Sequence, residues 1–265
     1  MSSRIAIHGA TGRMGQAIIR LISEEKDCIL VSAFTDASDP WVGKPIRDLV
    51  PTTNCPHQFG SSDSIDLDGV DVVVDFSHPD ATPQLLSRCL SARVPVLIGT
   101  TGHGPEFQTD LDQVVSTIPV ILAANTSPGI THLLSLVSQT ARAFPDADAE
   151  IVETHHRGKK DAPSGTALAF AQAIVDARDR GQIVVGRSGV QSRTSGEVSI
   201  ASLRGGQVPG DHAVIFASDQ EIVEIRHRAI DRNVFAAGAI RAAKWLARSG
   251  RQPGQYTMID VLSEP

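Results

Sequence analysis

The sequence predicts an α/β protein: a doubly wound parallel sheet, followed by a second, α+β domain with a mixed or antiparallel sheet. Three observations predict it. Short, almost wholly apolar runs alternate with helical patterns through the first half, as strands buried on both faces require. The first of these runs opens directly into a glycine-rich turn and a helix. After about residue 130 the pattern changes to closely spaced strand-like runs, one of which alternates apolar with charged residues.

Residues 4–8 (Arg-Ile-Ala-Ile-His) read as the first buried strand, and residues 14–23 as a helix with Ile18, Ile19, Leu21 and Ile22 on its apolar side. Between them lies Gly9-Ala10-Thr11-Gly12-Arg13-Met14-Gly15. In this context glycines let the backbone turn tightly and approach a pyrophosphate, which is the fingerprint of a Rossmann-like dinucleotide fold. The spacing is Gly-x-x-Gly-x-x-Gly rather than Gly-x-Gly-x-x-Gly, so a turn without a ligand is the competing reading. The next strand, 29–35, ends at Asp36, about 20 residues on, where an acid holds the adenosine ribose of NAD. The alternative places Asp36 in a turn over 36–40. Residues 70–76, 94–98 and 120–124 supply further strands, and 81–92 a returning helix. The loops Gly99-Thr100-Thr101-Gly102 and Asn125-Thr126-Ser127-Pro128-Gly129 fall at carboxyl ends of strands, where such sheets bind ligands.

A helix over 131–143 and a strand over 149–155 lead into Glu-Thr-His-His-Arg-Gly-Lys-Lys-Asp-Ala-Pro-Ser-Gly-Thr at 153–166, the most informative stretch of the chain. It joins His155 and His156, which exchange protons near neutrality, to the cation Lys159 and a helix start. Ser164 or Thr166 is the expected N-cap of a helix over 167–175, and free N–H groups at such an end attract carboxylate or phosphate. The segment therefore reads as a site for a small anionic substrate that must be protonated; the alternative is a solvated basic loop before a capped helix. A polar stretch over 186–197 reads as a mobile loop, either a lid or plain surface. Runs at 198–204, 210–217 and 220–229 follow, and their spacing favours antiparallel neighbours. A sheet with an uncovered face invites packing against another subunit. A helix over 233–248, with Phe235, Ile240, Trp245 and Leu246, is expected to return to the first domain. The expected domains are 1–129, with about 236–265 returning to it, and 130–235.

Composition bounds the partners. The 24 basic and 30 acidic residues give a net charge of −6, which argues against nucleic acid or a membrane surface. No apolar run is long enough to span a bilayer. Cys28, Cys55 and Cys89 are isolated, without metal-ligand spacing, and read as reduced thiols of a cytoplasmic protein; no metal site is expected. A strand that starts by Ile5 leaves no room for a signal peptide.

The chain resembles the 4-hydroxy-tetrahydrodipicolinate (dihydrodipicolinate) reductases. The likeness is carried by residues 9–15, Gly99-Thr100-Thr101-Gly102, Ala123-Ala124-Asn125 and, most specifically, residues 153–167. Residues 202–206 and Gly210-Asp211-His212 are similar to later strands of the family. The resemblance implies reduction of 4-hydroxy-tetrahydrodipicolinate with a nicotinamide cofactor in diaminopimelate and lysine biosynthesis. By position it makes His155 the catalytic acid/base and Lys159 a second proton donor. It makes His156, Lys159, Ser164, Gly165 and Thr166 the pocket for two carboxylates. It makes Gly9, Ala10, Thr11, Gly12, Arg13 and Met14, with Gly99, Thr100, Thr101, Ala123, Ala124, Asn125 and Thr126, the cofactor contacts. It also implies a homotetramer joined through the second domain's sheet. Where many relatives carry an acid followed by arginine after the second strand, this chain has Thr35-Asp36. An aspartate beside a 2′-phosphate is repulsive, which favours NADH over NADPH, although Arg13 or Lys44 could reach a phosphate. Another nicotinamide-dependent dehydrogenase acting on a small dicarboxylate or imine is the alternative, and a non-enzymatic dinucleotide sensor a third.

Overall fold

A computed structural model describes residues 2–53 and 55–264. The chain divides into two compact units, one of residues 1–127 with 233–265, the other of residues 128–232.

The first unit is a seven-stranded parallel sheet. Its strands are β1 (Ser3–His8), β2 (Cys28–Thr35), β3 (Gly60–Ser61), β4 (Val72–Asp75), β5 (Val96–Ile98), β6 (Pro119–Leu122) and, from the end of the chain, β12 (Gly254–Tyr256). They lie in the order β12-β6-β5-β4-β1-β2-β3, so the chain winds outwards from β1 in both directions. The helices are α1 (Arg13–Ile22), α2 (Ile46–Leu49), α3 (Thr82–Ala92), α4 (Phe107–Val115), α7 (Asn233–Leu246) and α8 (Met258–Ser263). Strand alternation explains why both faces are dry. Ile5, Ile7, Val72, Val74, Leu97 and Ile121 pack with α1, α7 and α8, while Ala6, Val73, Val96, Ile98 and Val120 pack with α3 and α4. Each fully buried Ile, Leu or Val contributes about 1.5–3 kcal/mol.

The second unit holds α5 (Pro128–Ala143), β7 (Asp148–His155), α6 (Gly165–Arg178), β8 (Gln182–Val185), β9 (Glu197–Arg204), β10 (Asp211–Ala217) and β11 (Ile222–Arg228). Its sheet runs β11-β10-β7-β9-β8, with β7 in the middle. The expectation of antiparallel neighbours holds for β10, which pairs antiparallel with both β7 and β11, and fails for β9. Strand β9 is not beside β10: it lies parallel to β7 and β8. The short link from β9 to β10 has a hairpin's length, but β7 occupies the place between them and supplies buried partners on both sides. Helices α5 and α6 cover one face, where Ala149, Ile151, Val198, Ile200, Val214 and Phe216 meet Ile130, Val137, Ala141, Phe170 and Ile174. On the opposite face Ala201 and Leu203 of β9 and Ile222 of β11 are exposed. The stretch 186–196 is the connection between β8 and β9. No helix among the described residues is long and apolar enough to cross a membrane.

Candidate active site

In the second unit the site follows from register. Alternation along β7 buries Ala149, Ile151, Glu153 and His155 on the helix-covered face. Pairing sets Arg204 of β9 across from His155, and His212 of β10 across from Glu153. Four polar side chains thus converge where β7 ends.

Glu153 is fully buried and lies at the centre of the cluster. Its Oε2 is 2.5 Å from His155 Nδ1, and it accepts two hydrogen bonds from the Arg204 guanidinium, at 2.9 and 2.8 Å. Its Oε1 also accepts from the backbone N–H of Ser164, at 3.2 Å. Burial by itself would raise this carboxyl; hydrogen bonds led by Arg204 overcome it and hold the group down at about 2. An ionised Glu153 fixes the proton of neutral His155 on Nδ1. Among the described residues, Nε2 has no hydrogen-bond partner and is left for chemistry. Gly210 matters here, because a Cβ at that position would stand 3.2 Å from Nε2. Burial pulls His155 below its usual 6.5, while Glu153 works in the opposite direction.

The loop after β7 returns through the cis Ala162–Pro163 bond to Ser164, the N-cap of α6. Ser164 Oγ accepts from the N–H of Ala167 at 3.2 Å and lies 3.1 Å from His212 Nε2. Burial, then the neighbouring His155, pushes His212 down to about 4, so it is neutral at physiological pH. Gly165 is exposed and Thr166 half-buried beside this cap, leaving the helix end accessible to an anion. Lys159 Nζ donates to Asp161 at 2.7 Å, and Arg204 reaches the Asp161 carbonyl at 2.6 Å, so one guanidinium ties the lysine-bearing loop to the Glu153–His155 pair. His156 is half-buried. Ligand atoms of Glu153, His155 and His212 all lie within 4.8 Å of one another, a grouping able to hold a metal ion. Both oxygens of Glu153 already accept from Arg204, however, and that guanidinium competes with any other cation there.

In the first unit Gly9 adopts φ +78°, and a Cβ there would lie 2.2 Å from the Phe76 carbonyl oxygen; only glycine fits. A Cβ on Gly15 would meet Gly9 and Ala10 at 2.5 and 2.6 Å, which explains the third glycine as a packing requirement. Gly12 caps α1 without a side chain, and no acid lies in the first turn. The exposed N–H groups of that end therefore fit a pyrophosphate. Ala10 is buried, Thr11 and Met14 are half-buried, and Arg13 is exposed.

Behind the strand ends sits Asp75, fully buried, accepting from Ser77 at 2.6 Å, Thr100 at 2.8 Å and Thr82 at 3.0 Å, with His8 Nδ1 at 2.8 Å. Burial tends to raise this carboxyl, and the bonds from His8, Ser77 and Thr100 bring it below the usual range. This hub joins β1, β4 and the Gly99-Thr100-Thr101 loop, in which Thr101 is exposed. Ala123 is buried and Ala124 exposed, Asn125 Oδ1 accepts from Ser127 N at 2.8 Å, and Thr126 donates to the Phe235 carbonyl at 2.7 Å. Asp36 is exposed, its carboxylate turned back to the N–H and hydroxyl of Ser38.

Sequence reasoning assigned no role to Glu153, Arg204, His212, His8 or Asp75. A signal was present in two of them: Asp75 ends an otherwise apolar strand, and period-two alternation puts Glu153 on the face of Ile151. A charge so placed must be paired.

A glycine-rich turn opening a helix in one unit, and a buried histidine–carboxylate pair beside a helix start in the other, fit the class of nicotinamide-dependent oxidoreductases acting on small anions. Residues 3–126 match the model of the dihydrodipicolinate reductase N-terminus, and residues 129–262 that of its C-terminus. The chain is 40% identical over 269 residues to the 4-hydroxy-tetrahydrodipicolinate reductase of Alkalilimnicola ehrlichii, covering 99% of both. It is 39% identical over 265 residues to that of Pseudoalteromonas atlantica, covering 98% of both. The fold is similar to that of a dipicolinate-bound dihydrodipicolinate reductase from Paenisporosarcina sp. TG-14, with a TM-score of 0.75 at 23% identity over 97% of this chain and 98% of the other. The chain belongs to the dihydrodipicolinate reductase family.

Proposed function

We propose that this chain reduces 4-hydroxy-tetrahydrodipicolinate to tetrahydrodipicolinate in diaminopimelate and lysine biosynthesis, with His155 as the acid/base, Lys159 as a second proton donor and the α6 N-terminus as the carboxylate clamp. The observation that carries these roles is the Glu153-bound His155, whose Nε2 is uncommitted beside the Ser164 cap. The bound dinucleotide supplies the hydride. The residues supply the rest: one proton enters, and water leaves from the hydroxylated ring.

As negative charge develops toward the ring nitrogen, Lys159 and the helix end stabilise it, and His155, after taking up a proton from solvent at Nε2, delivers that proton. Ser164, Gly165, Thr166 and His156 hold the two carboxylates. Gly9, Ala10, Thr11, Gly12, Arg13 and Met14 hold the cofactor, with Gly99, Thr100, Thr101, Ala123, Ala124, Asn125 and Thr126 closing around it. NADH is the preferred cofactor, on the acidic character of the chain after β2. The uncovered sheet face bearing Ala201, Leu203 and Ile222 is the surface through which copies assemble, as a cytoplasmic homotetramer.

The test is loss of NADH or NADPH absorbance with freshly generated substrate. His155→Gln and Lys159→Ala are each expected to lower turnover by about 10²- to 10⁴-fold while dinucleotide binding, followed by calorimetry, is unchanged. No oxidation with either cofactor in a protein that binds dinucleotide refutes the assignment. A light-scattering mass of one chain refutes the assembly.

A further inference from the structure

His212 is buried in the cluster, yet the Glu153–His155–Arg204 arrangement does not use it. It lies on β10 across from Glu153, on the same face of the sheet. Its ring stands edge-on to those of His155 and Phe170, with centroids 5.0 and 6.2 Å away. Nε2 is 3.1 Å from Ser164 Oγ, and Nδ1 is buried with no hydrogen-bond partner among the described residues. Burial, then the neighbouring His155, holds the ring neutral, so it carries a single N–H. Ser164 Oγ also accepts from the Ala167 N–H at 3.2 Å, and its hydroxyl has no third partner among the described residues.

These groups hold one donor more than they have acceptors. The Ser164 O–H, the His212 N–H and the Ala167 N–H compete for two lone pairs on Oγ and one on the ring. With the ring proton on Nδ1, the surplus donor is an N–H sealed in the interior, which folded proteins rarely tolerate. With it on Nε2, the surplus donor is the Ser164 hydroxyl at the start of α6. Ser164 is 2% exposed but adjoins exposed Gly165, so a ligand at the helix end meets this O–H with little competition from water.

We propose that His212 is a positioning residue: its Nε2–H fills the second lone pair of Ser164 Oγ and makes that hydroxyl an obligate donor, fitted to an ionised carboxylate and unfavourable to a carboxamide. This role rests on the α6 N-terminus being the carboxylate clamp. The backbone N–H groups of the first turn are donors as well, so a carboxylate, which only accepts, is matched at every contact. A carboxamide brings an NH2 group to the same place and finds no acceptor. Without His212 the hydroxyl is free to rotate, and its vacated lone pair accepts that NH2.

The experiment compares His212→Phe and His212→Gln with the unsubstituted chain. It measures kcat and KM for the substrate and, by calorimetry with dinucleotide present, the affinities of dipicolinate, a planar ring bearing two carboxylates, and of its monoamide. Phenylalanine keeps a buried ring and removes the donor; glutamine restores an N–H at similar reach. In His212→Phe the substrate KM is expected to rise about tenfold while kcat stays within about threefold, as for a contact made equally in ground and transition states. The preference for dicarboxylate over monoamide is expected to fall about tenfold in His212→Phe and to stay within about twofold of the original in His212→Gln. Nitrogen NMR of the isotope-labelled, unsubstituted chain should find the His212 hydrogen on Nε2, a readout that no folding defect in a variant disturbs. A hydrogen on Nδ1, or an unchanged preference in folded His212→Phe, overturns the role of His212 and leaves the reductase assignment standing. Equal losses in the two variants overturn it as well, because the N–H is then not what matters. Binding of neither compound by the unsubstituted chain overturns the carboxylate clamp, and the role of His212 with it.

Discussion

Two carboxylates are fully buried at strand ends, each against a histidine, and the company they keep differs. Asp75 in the first unit is held by His8 and three hydroxyls, and Glu153 in the second by His155, a backbone N–H and the Arg204 guanidinium. Hydroxyls and a histidine tie loops together, and His8 is only 2% exposed. A guanidinium keeps the carboxylate ionised independently of the histidine, so His155 can lose or gain a proton without Glu153 following. A buried anion thus serves as a clamp in one unit and as an orienter in the other, according to whether a permanent cation accompanies it.

The contrast is sharpest in Glu153→Gln. The amide retains the shape but removes the charge that favours protonated His155, so turnover is expected to fall about a thousandfold. The limb on which kcat/KM declines as pH rises should move to lower pH, because Glu153 supports the charged imidazole. An unmoved limb breaks the comparison. Next in size is Arg204→Met, which strands Glu153 without its cation and should cost about 3 kcal/mol in denaturant unfolding at neutral pH. The sign of the pH dependence follows from a carboxyl lowered from 4.5 to about 2: its stabilisation is full above 4.5 and is lost as pH falls toward 2. That acid-side loss should shrink in Arg204→Met.

Asp75→Asn should cost about 2 kcal/mol, read as a lower melting temperature, with kcat nearly unchanged, as befits a clamp. A large fall in kcat without loss of stability would make Asp75 a second orienter. The smallest effect belongs to Ser164→Ala, about 1 kcal/mol for a lost N-cap, with a raised substrate KM and little change in kcat.

Much of this was legible in the sequence because burial is written in period. Strand β4 is apolar at Val72, Val73 and Val74 because both faces are covered, and α6 begins where Ser164 promised a cap. The elements that escaped reading are the helices α2, α4 and α8 and three short edge strands: β3 has two residues, β8 is half-exposed, and β12 begins at Gly254 with φ +156°. Pairing, not pattern, makes those three edge segments strands. The place of β9 beside β7 was likewise invisible, since loop length speaks of neighbours in sequence and not of a strand inserted between them. Of the site, His155 and Lys159 announced themselves by residue type. Arg204 did not, because its meaning comes from register with His155 across two strands 49 positions apart.

The first unit is discontinuous, and this sets the order of events as the chain is made. Ile18, Ile19 and Ile22 of α1 share a core with Ala236, Ala239, Ile240, Ala243 and Leu246 of α7, and β12 adds the last strand beside β6. More than a hundred residues of the second unit are synthesised in between, which takes roughly 5–20 s on a ribosome. Throughout that interval α1 lacks its α7 partner, and the nascent protein presents a surface suited to a chaperone. The unit encoded first is the one completed last.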